Sequence, residues 1–169
     1  MKHLKTLVLA TALLIGSTSF MNAQSKVAHI NTQELVASMP ETIAAQAEIE
    51  KLSKTYQGEL QTMKSELDNK IKQYDAEAKT QTDETNSRRV QEVQGMQQSI
   101  QQYGGQAQQD VQKKEFDLLK PITERAKAAI QKIARAQGFA YVLDSTQGQG
   151  VILADGKDLM ADVKKELGF

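Results

Sequence analysis

An eleven-residue apolar repeat constrains this chain more than any other feature. From Ile49 the apolar positions continue at Leu52, Tyr56, Leu60, Met63, Leu67, Ile71, Tyr74 and Ala78, in steps of three and four. Ile49, Leu60 and Ile71 share one position of the repeat. Leu52, Met63 and Tyr74 share the next, and Tyr56, Leu67 and Ala78 the third. The pattern resumes downstream: Ile100, Val111, Ile122 and Ile133 lie eleven apart, as do Ala107, Leu118 and Ala129. Eleven residues in three turns is about 3.67 per turn, so helices with this repeat run nearly straight or coil slightly right-handed. A stripe this narrow suits a helix pair and not a helix buried on every side.

The two runs read as the arms of one antiparallel hairpin over residues 41–137, a region rich in Gln, Glu, Lys and Ala. Matching the bounding breakers, Pro40 and Gly138, places Leu60 opposite Leu118, Leu67 opposite Val111 and Ala78 opposite Ile100. The tip then falls at the polar run Asp83–Arg89. Sliding the arms by one repeat either way aligns the seam equally well, and in one direction moves the turn to Gly95. In the breaker-matched register Gly58 and Pro121 lie almost opposite each other. Gly weakens a helix by about 1 kcal/mol and Pro by about 3 kcal/mol, so this pair is a candidate hinge. Gly104-Gly105 is a second soft point nearer the tip. Each arm, at about 1.5 Å per residue, reaches about 70 Å. A compact chain of this size has a radius of gyration of about 15 Å, so the hairpin must project from a body.

That body comes from the flanks, residues 24–40 and 138–169. Lys26–Asn31 leans towards a strand, and a short helix from Thr32 to Met39 stops at Pro40. Beyond Gly138, Phe139–Asp144 is a strand candidate rich in β-branched and aromatic residues. Ser145–Gly150 is a loop, and Val151–Ala154 a further strand closed by Asp155-Gly156. A last helix is expected from an N-cap at Asp158 to Leu167, with Gly168 at its end. The predicted fold is mostly α with a small β body. A body this small with open strand edges calls for oligomerisation, so strands of several subunits are expected to form a shared sheet or barrel.

The N-terminus reads as an address. Met1-Lys2-His3-Leu4-Lys5 is a positive opening, Leu7–Ile15 is apolar, and Asn22-Ala23-Gln24 follows. This is the pattern of a secretory signal peptide, residues 1–23. Its apolar run is too short to span a bilayer. No later segment is apolar enough to be transmembrane.

Catalysis finds little to work with. The chain has no Cys, and removing residues 1–23 leaves His29 as its last histidine, expected to be structural. Asp144, Asp155, Asp158 and Asp162 do not follow the spacing of a calcium loop and read as turn and cap residues. No nucleophile–base pair, metal cluster, phosphate cradle or cofactor motif emerges, so an enzyme is not expected. Charge gives no basic footprint for nucleic acid: 21 Lys+Arg meet 21 Asp+Glu. The chain from residue 24 on carries −2. Residues 41–137 hold 15 of each sign.

Three residues stand out on the second arm. Lys114 and Arg125 occupy seam positions, where their stems can cover apolar surface while their heads reach water. The alternative is that they line a charged cavity. Phe116 lies off the seam, where an exposed ring is a candidate contact for a bound partner or another subunit. Ten Gln between Gln91 and Gln112 read as a solvated face, with an adhesive polar surface as the alternative.

In order and spacing, the chain resembles the Skp/OmpH family of periplasmic chaperones. The resemblance rests on Val27-Ala-His-Ile-Asn31 leading to Met39-Pro40-Glu41, and on the long hairpin with Leu119-Lys-Pro-Ile122 in its return arm. It continues through Gly138-Phe-Ala-Tyr-Val-Leu-Asp144, Ile152-Leu-Ala-Asp155 and the terminal segment Asp158–Leu167. It implies a homotrimer shaped like a jellyfish, with a β-barrel body and three helical tentacles around a cavity. It also implies an ATP-independent holdase that keeps unfolded outer-membrane proteins soluble in the periplasm. Phe116, Lys114 and Arg125 would then be candidate client or subunit contacts. The better-known members have markedly basic tentacles, whereas this hairpin is neutral. Its adjacent basic pairs, Arg88-Arg89 and Lys113-Lys114, allow at most weak contact with a membrane surface. The rival reading from the residues alone is a coiled-coil spacer or adaptor of the cell envelope.

Overall fold

A computed structural model of the chain describes residues 26–169. The expected signal peptide lies outside the described residues. Strand β1 is Val27–Ile30 and helix α1 is Thr32–Ser38. Helix α2 is Pro40–Glu77, followed by a 3-10 turn at Ala78–Thr80 and helix α3, Asp83–Ala136. Strand β2 is Tyr141–Asp144, β3 is Lys157–Asp158, and helix α4 is Met160–Leu167.

Local chemistry sets each boundary. The Asn31 side chain accepts a hydrogen bond from the Glu34 amide at 2.9 Å and caps α1. Pro40 forces Met39 into extended backbone, which ends α1. Pro40 itself then opens α2, where its missing N–H costs nothing. Thr82 caps α3 by accepting from the Thr85 amide at 3.2 Å, with Asp83 and Glu84 in the positive first turn. Gly168 closes α4 in the left-handed region, at φ 92.

The hairpin and its seam are present. Every seam residue from Ile49 to Ala78 is partly buried, as are Ile100, Tyr103, Val111, Lys114 and Leu118, while Ala107 is buried. The register differs from the breaker-matched one. The tip is Ala78–Thr82, and Asp83–Arg89 form the first turns of α3. Leu60 meets Gly104, not Leu118. Lys114 meets Glu48, and Glu92 meets Lys70. The register one repeat shorter comes within about a turn of this arrangement. Matching Pro40 to Gly138 assumes that both arms start at one height. In fact α3 overshoots α2, with 54 residues against 38, and its last turns enter the body.

There Ala126, Ala129 and Ala134 pack on Ile30, Leu35, Met39, Leu159 and Val163 to form the core. The sheet has the order β2-β1-β3, with both pairs parallel. Parallel neighbours need a long crossover, and the hairpin supplies it between β1 and β2.

Val151–Ala154 is not a strand, contrary to its β-rich sequence. β1 is already paired on both sides, and the third strand is Lys157–Asp158. Ile152 is 101% exposed and Leu153 74%.

Candidate functional site

The arms are joined by the apolar seam and by polar links in two groups. Near the tip, Lys70 and the Tyr74 hydroxyl both bond to the Glu92 carboxylate. The Lys70 ammonium, and then the Tyr74 hydroxyl, hold that carboxyl below the usual range. Arg89 pairs with Glu77 and lies 4.4 Å from the Tyr74 ring centroid. Asn86 donates to the Ala78 carbonyl at 2.9 Å. Towards the body, the Tyr56 hydroxyl donates to Asp110 at 2.9 Å, and Tyr103 donates to Glu59. The two tyrosine rings meet edge to face at 5.8 Å.

The residues singled out in the sequence fall at separate heights. Lys114 forms an ion pair with Glu48 at 2.7 Å. Arg125 pairs with Glu41 and donates to the Leu167 carbonyl at 3.1 Å, tying α3 to the start of α2 and the end of α4. Both cations are thus paired with carboxylates of the other arm while their side chains stay partly exposed. Phe116 is 62% exposed, with the Lys120 ammonium 5.5 Å from its ring centroid. It opens a shallow, mainly apolar groove on α3 with Leu119 and Thr123. Gly58 and Pro121 do not share a height. Gly58 lies level with Gly104 through Leu60, whereas Pro121 sits one turn from Arg125, near the body. Of the adjacent basic pairs, Arg89, Lys113 and Lys114 are all engaged by carboxylates.

The body carries a polar lock and an apolar edge. The Asp144 carboxylate accepts from the Thr32 amide and hydroxyl at 3.2 and 2.6 Å, and from the Thr146 amide and hydroxyl at 3.0 and 2.7 Å. Burial pushes the Asp144 pKa up, but the bonds from Thr146 and Thr32 outweigh it and hold it at about 2. His29 is structural: its Nε2 donates to the Gly156 carbonyl at 3.2 Å, and Nδ1 lies 3.4 Å from the Ser145 hydroxyl. Beside β2 a concavity is lined by Ile30, Val36, Ile130, Phe139 and Val142. β2 is an edge strand, and its Tyr141 and Leu143 side chains are exposed. Among the described residues no helix is long and apolar enough to cross a membrane.

A long two-arm hairpin serving as the crossover of a small parallel sheet is a specific arrangement. The family model described as "Outer membrane protein (OmpH-like)" matches residues 26–167, almost the whole described chain. The chain belongs to the OmpH-like family. It is 22% identical over 155 residues to the chaperone protein Skp of Pectobacterium atrosepticum, covering 92% of this chain and 93% of that relative. It is 24% identical over 145 residues to the chaperone protein Skp of Photorhabdus luminescens, covering 86% and 87%. The crystal structure of a putative OmpH-like outer membrane chaperone from Caulobacter crescentus shares the fold, with a TM-score of 0.76 and 23% identity over 86% of this chain and 85% of that one. The OmpH-like family consists of chaperones and not enzymes.

Two features of this OmpH-like chain escaped sequence reading. The turn reading of Asp144 holds, since its carboxylate accepts from the Thr146 amide two residues on, but its long-range bonds from Thr32 have no local signal. The alignment of Gly58 with Gly104 became visible only once the register was known.

Proposed function

We propose that this protein is an ATP-independent holdase that keeps unfolded outer-membrane proteins soluble in the periplasm. The observation that carries the reading is how the fold divides its apolar surface. A small body holds the core, while helices of 38 and 54 residues bury only a narrow seam and extend outwards. Such arms surround a bound chain without needing a fixed pocket. Removing apolar client surface from water, at about 25 cal/mol per Å², drives capture. Several arms around one client raise effective concentration without strong single contacts. Phe116, exposed on the second arm, is the client contact within this reading.

The working unit in this proposal is a homotrimer. The free edge of β2 and the unpaired Val151–Ala154 segment support it: the same chain offers an open apolar edge and an apolar, β-prone strand without a partner. A second copy would satisfy both.

The test is direct. Residues 24–169, without nucleotide, are mixed with a urea-unfolded outer-membrane barrel that is then diluted from denaturant. Light scattering should stay low at one trimer per client. Phe116→Ser should weaken protection while leaving Tm unchanged. Full aggregation at that ratio overturns the holdase and leaves the spacer reading.

A further inference from the structure

We propose that an uncharged glutamine stripe on α3 is a docking surface for the backbone of an extended, unfolded polypeptide. This rests on the holdase reading and names the chemistry by which the arm holds its client. Thirteen of the 38 residues of α2 are charged, as suits a helix with one face in water. On α3 the stretch from Gln91 to Gln112 holds ten Gln and two charged residues, Glu92 and Asp110. Both charges are engaged by α2: Glu92 takes the Lys70 ammonium and the Tyr74 hydroxyl, and Asp110 takes the Tyr56 hydroxyl. The outward surface of this stretch is therefore built from neutral amides. Solvation alone does not explain it, because Lys and Glu form helices as well as Gln does and hold water more tightly.

The amides are ordered into a line. Gln91, Gln94, Gln98, Gln101, Gln108 and Gln112 recur in steps of three and four, with Gly105 in the one gap. The line lies one residue on from seam positions such as Ile100, Ala107 and Val111, so it is turned about 100° from the seam. All ten glutamines are exposed. Among the described residues Gln106 alone of the ten bonds to another side chain, donating to Asp110 at 2.8 Å. The same line continues through Phe116, Leu119 and Thr123, and Gln112 lines their groove. From Gln91 to Gln112 it runs about 30 Å, the length of an extended strand of about nine residues.

A glutamine amide presents two N–H donors and a carbonyl acceptor. These complement the C=O and N–H groups that an unpaired strand leaves open. A row of them bonds to an extended chain whatever its side chains, and it repels neither acidic nor basic segments. Once Phe116 and Leu119 take an apolar client side chain out of water, the neighbouring client backbone needs partners, and the row supplies them. A folded barrel has already paired its backbone and offers the row nothing. The surface therefore distinguishes unfolded from folded clients, and it does so without the charge that salt would screen.

The chain has no Cys, so an environment-sensitive fluorophore at Gln98→Cys marks the stripe alone. The probe is a urea-unfolded outer-membrane barrel diluted from denaturant, with the same barrel folded in detergent for comparison. Emission should shift with the unfolded barrel and not with the folded one, and the shift should survive an about tenfold rise in salt. In a separate variant, Gln94→Glu with Gln98→Lys and Gln108→Glu with Gln112→Lys replace amides by charges at equal helix propensity and no net charge. Helical circular dichroism and Tm should persist, while affinity for a dye-labelled unfolded barrel falls about tenfold or more. Undiminished affinity in that variant overturns the stripe, as does a silent label at Gln98→Cys when the barrel binds. A label already shielded before client is added gives the stripe to a second copy and overturns it too. If the parent binds no unfolded barrel at all, the holdase reading falls and the stripe with it.

Discussion

Asp144 shows how much one side chain can organise. Four donors from Thr32 and Thr146 converge on it and pin the end of β2 to the start of α1. Its folded pKa of about 2 lies below the 3.8 of an ordinary Asp side chain. The carboxylate therefore stabilises the fold above the unfolded pKa, and that contribution is lost as pH falls from about 4 to about 2. Asp144→Asn should cost up to about 2 kcal/mol at pH 7. Urea denaturation should show the gap between parent and variant closing by about pH 2. A gap that stays constant across that range would mean that the charge does not stabilise the fold.

At the scale of elements, the two arms are held by different means along their length. Near the tip the bonds are polar and half-exposed, and such pairs contribute at most about 1 kcal/mol each to global stability. Their effect is local. Glu92→Ala leaves both Lys70 and Tyr74 without their shared acceptor. Amide exchange at Ala78–Asn86 should then quicken while Tm moves by no more than a degree or two. Protection unchanged at the tip would show that the apolar seam alone holds it. The seam was legible in the sequence because its burial follows the repeat residue by residue. The register was not, because an eleven-residue repeat scores equally after a one-repeat slip. It is fixed by Thr82, which caps α3 early, and by the apolar turns of α3 that enter the body.

For the whole molecule, a three-stranded parallel sheet with a free edge is an incomplete unit. Ile152 and Leu153 stand in solvent, and the concavity beside β2 is lined by Phe139 and Val142. If a second copy covers these surfaces, Ile152→Asp with Leu153→Asp should convert the trimer to monomer by native mass. The two residues contribute nothing to the core of one chain, so the helical circular dichroism should persist. A trimer surviving both substitutions would place the interface elsewhere.

The amino-acid sequence by itself determined the long helices, the strands β1 and β2, and the apolar stripe. Short-range rules suffice for these: periodicity, the helix end at Gly168, and the breaks at Pro40 and Gly138. It also set the charge balance of the arms, which no folding can alter. The tertiary structure decided what depends on competition between distant groups. It chose one register among periodic equivalents, brought Gly58 level with Gly104, and gave the second side of β1 to Lys157–Asp158. Val151–Ala154 has the side chains of a strand, but the place beside β1 is taken by Lys157–Asp158.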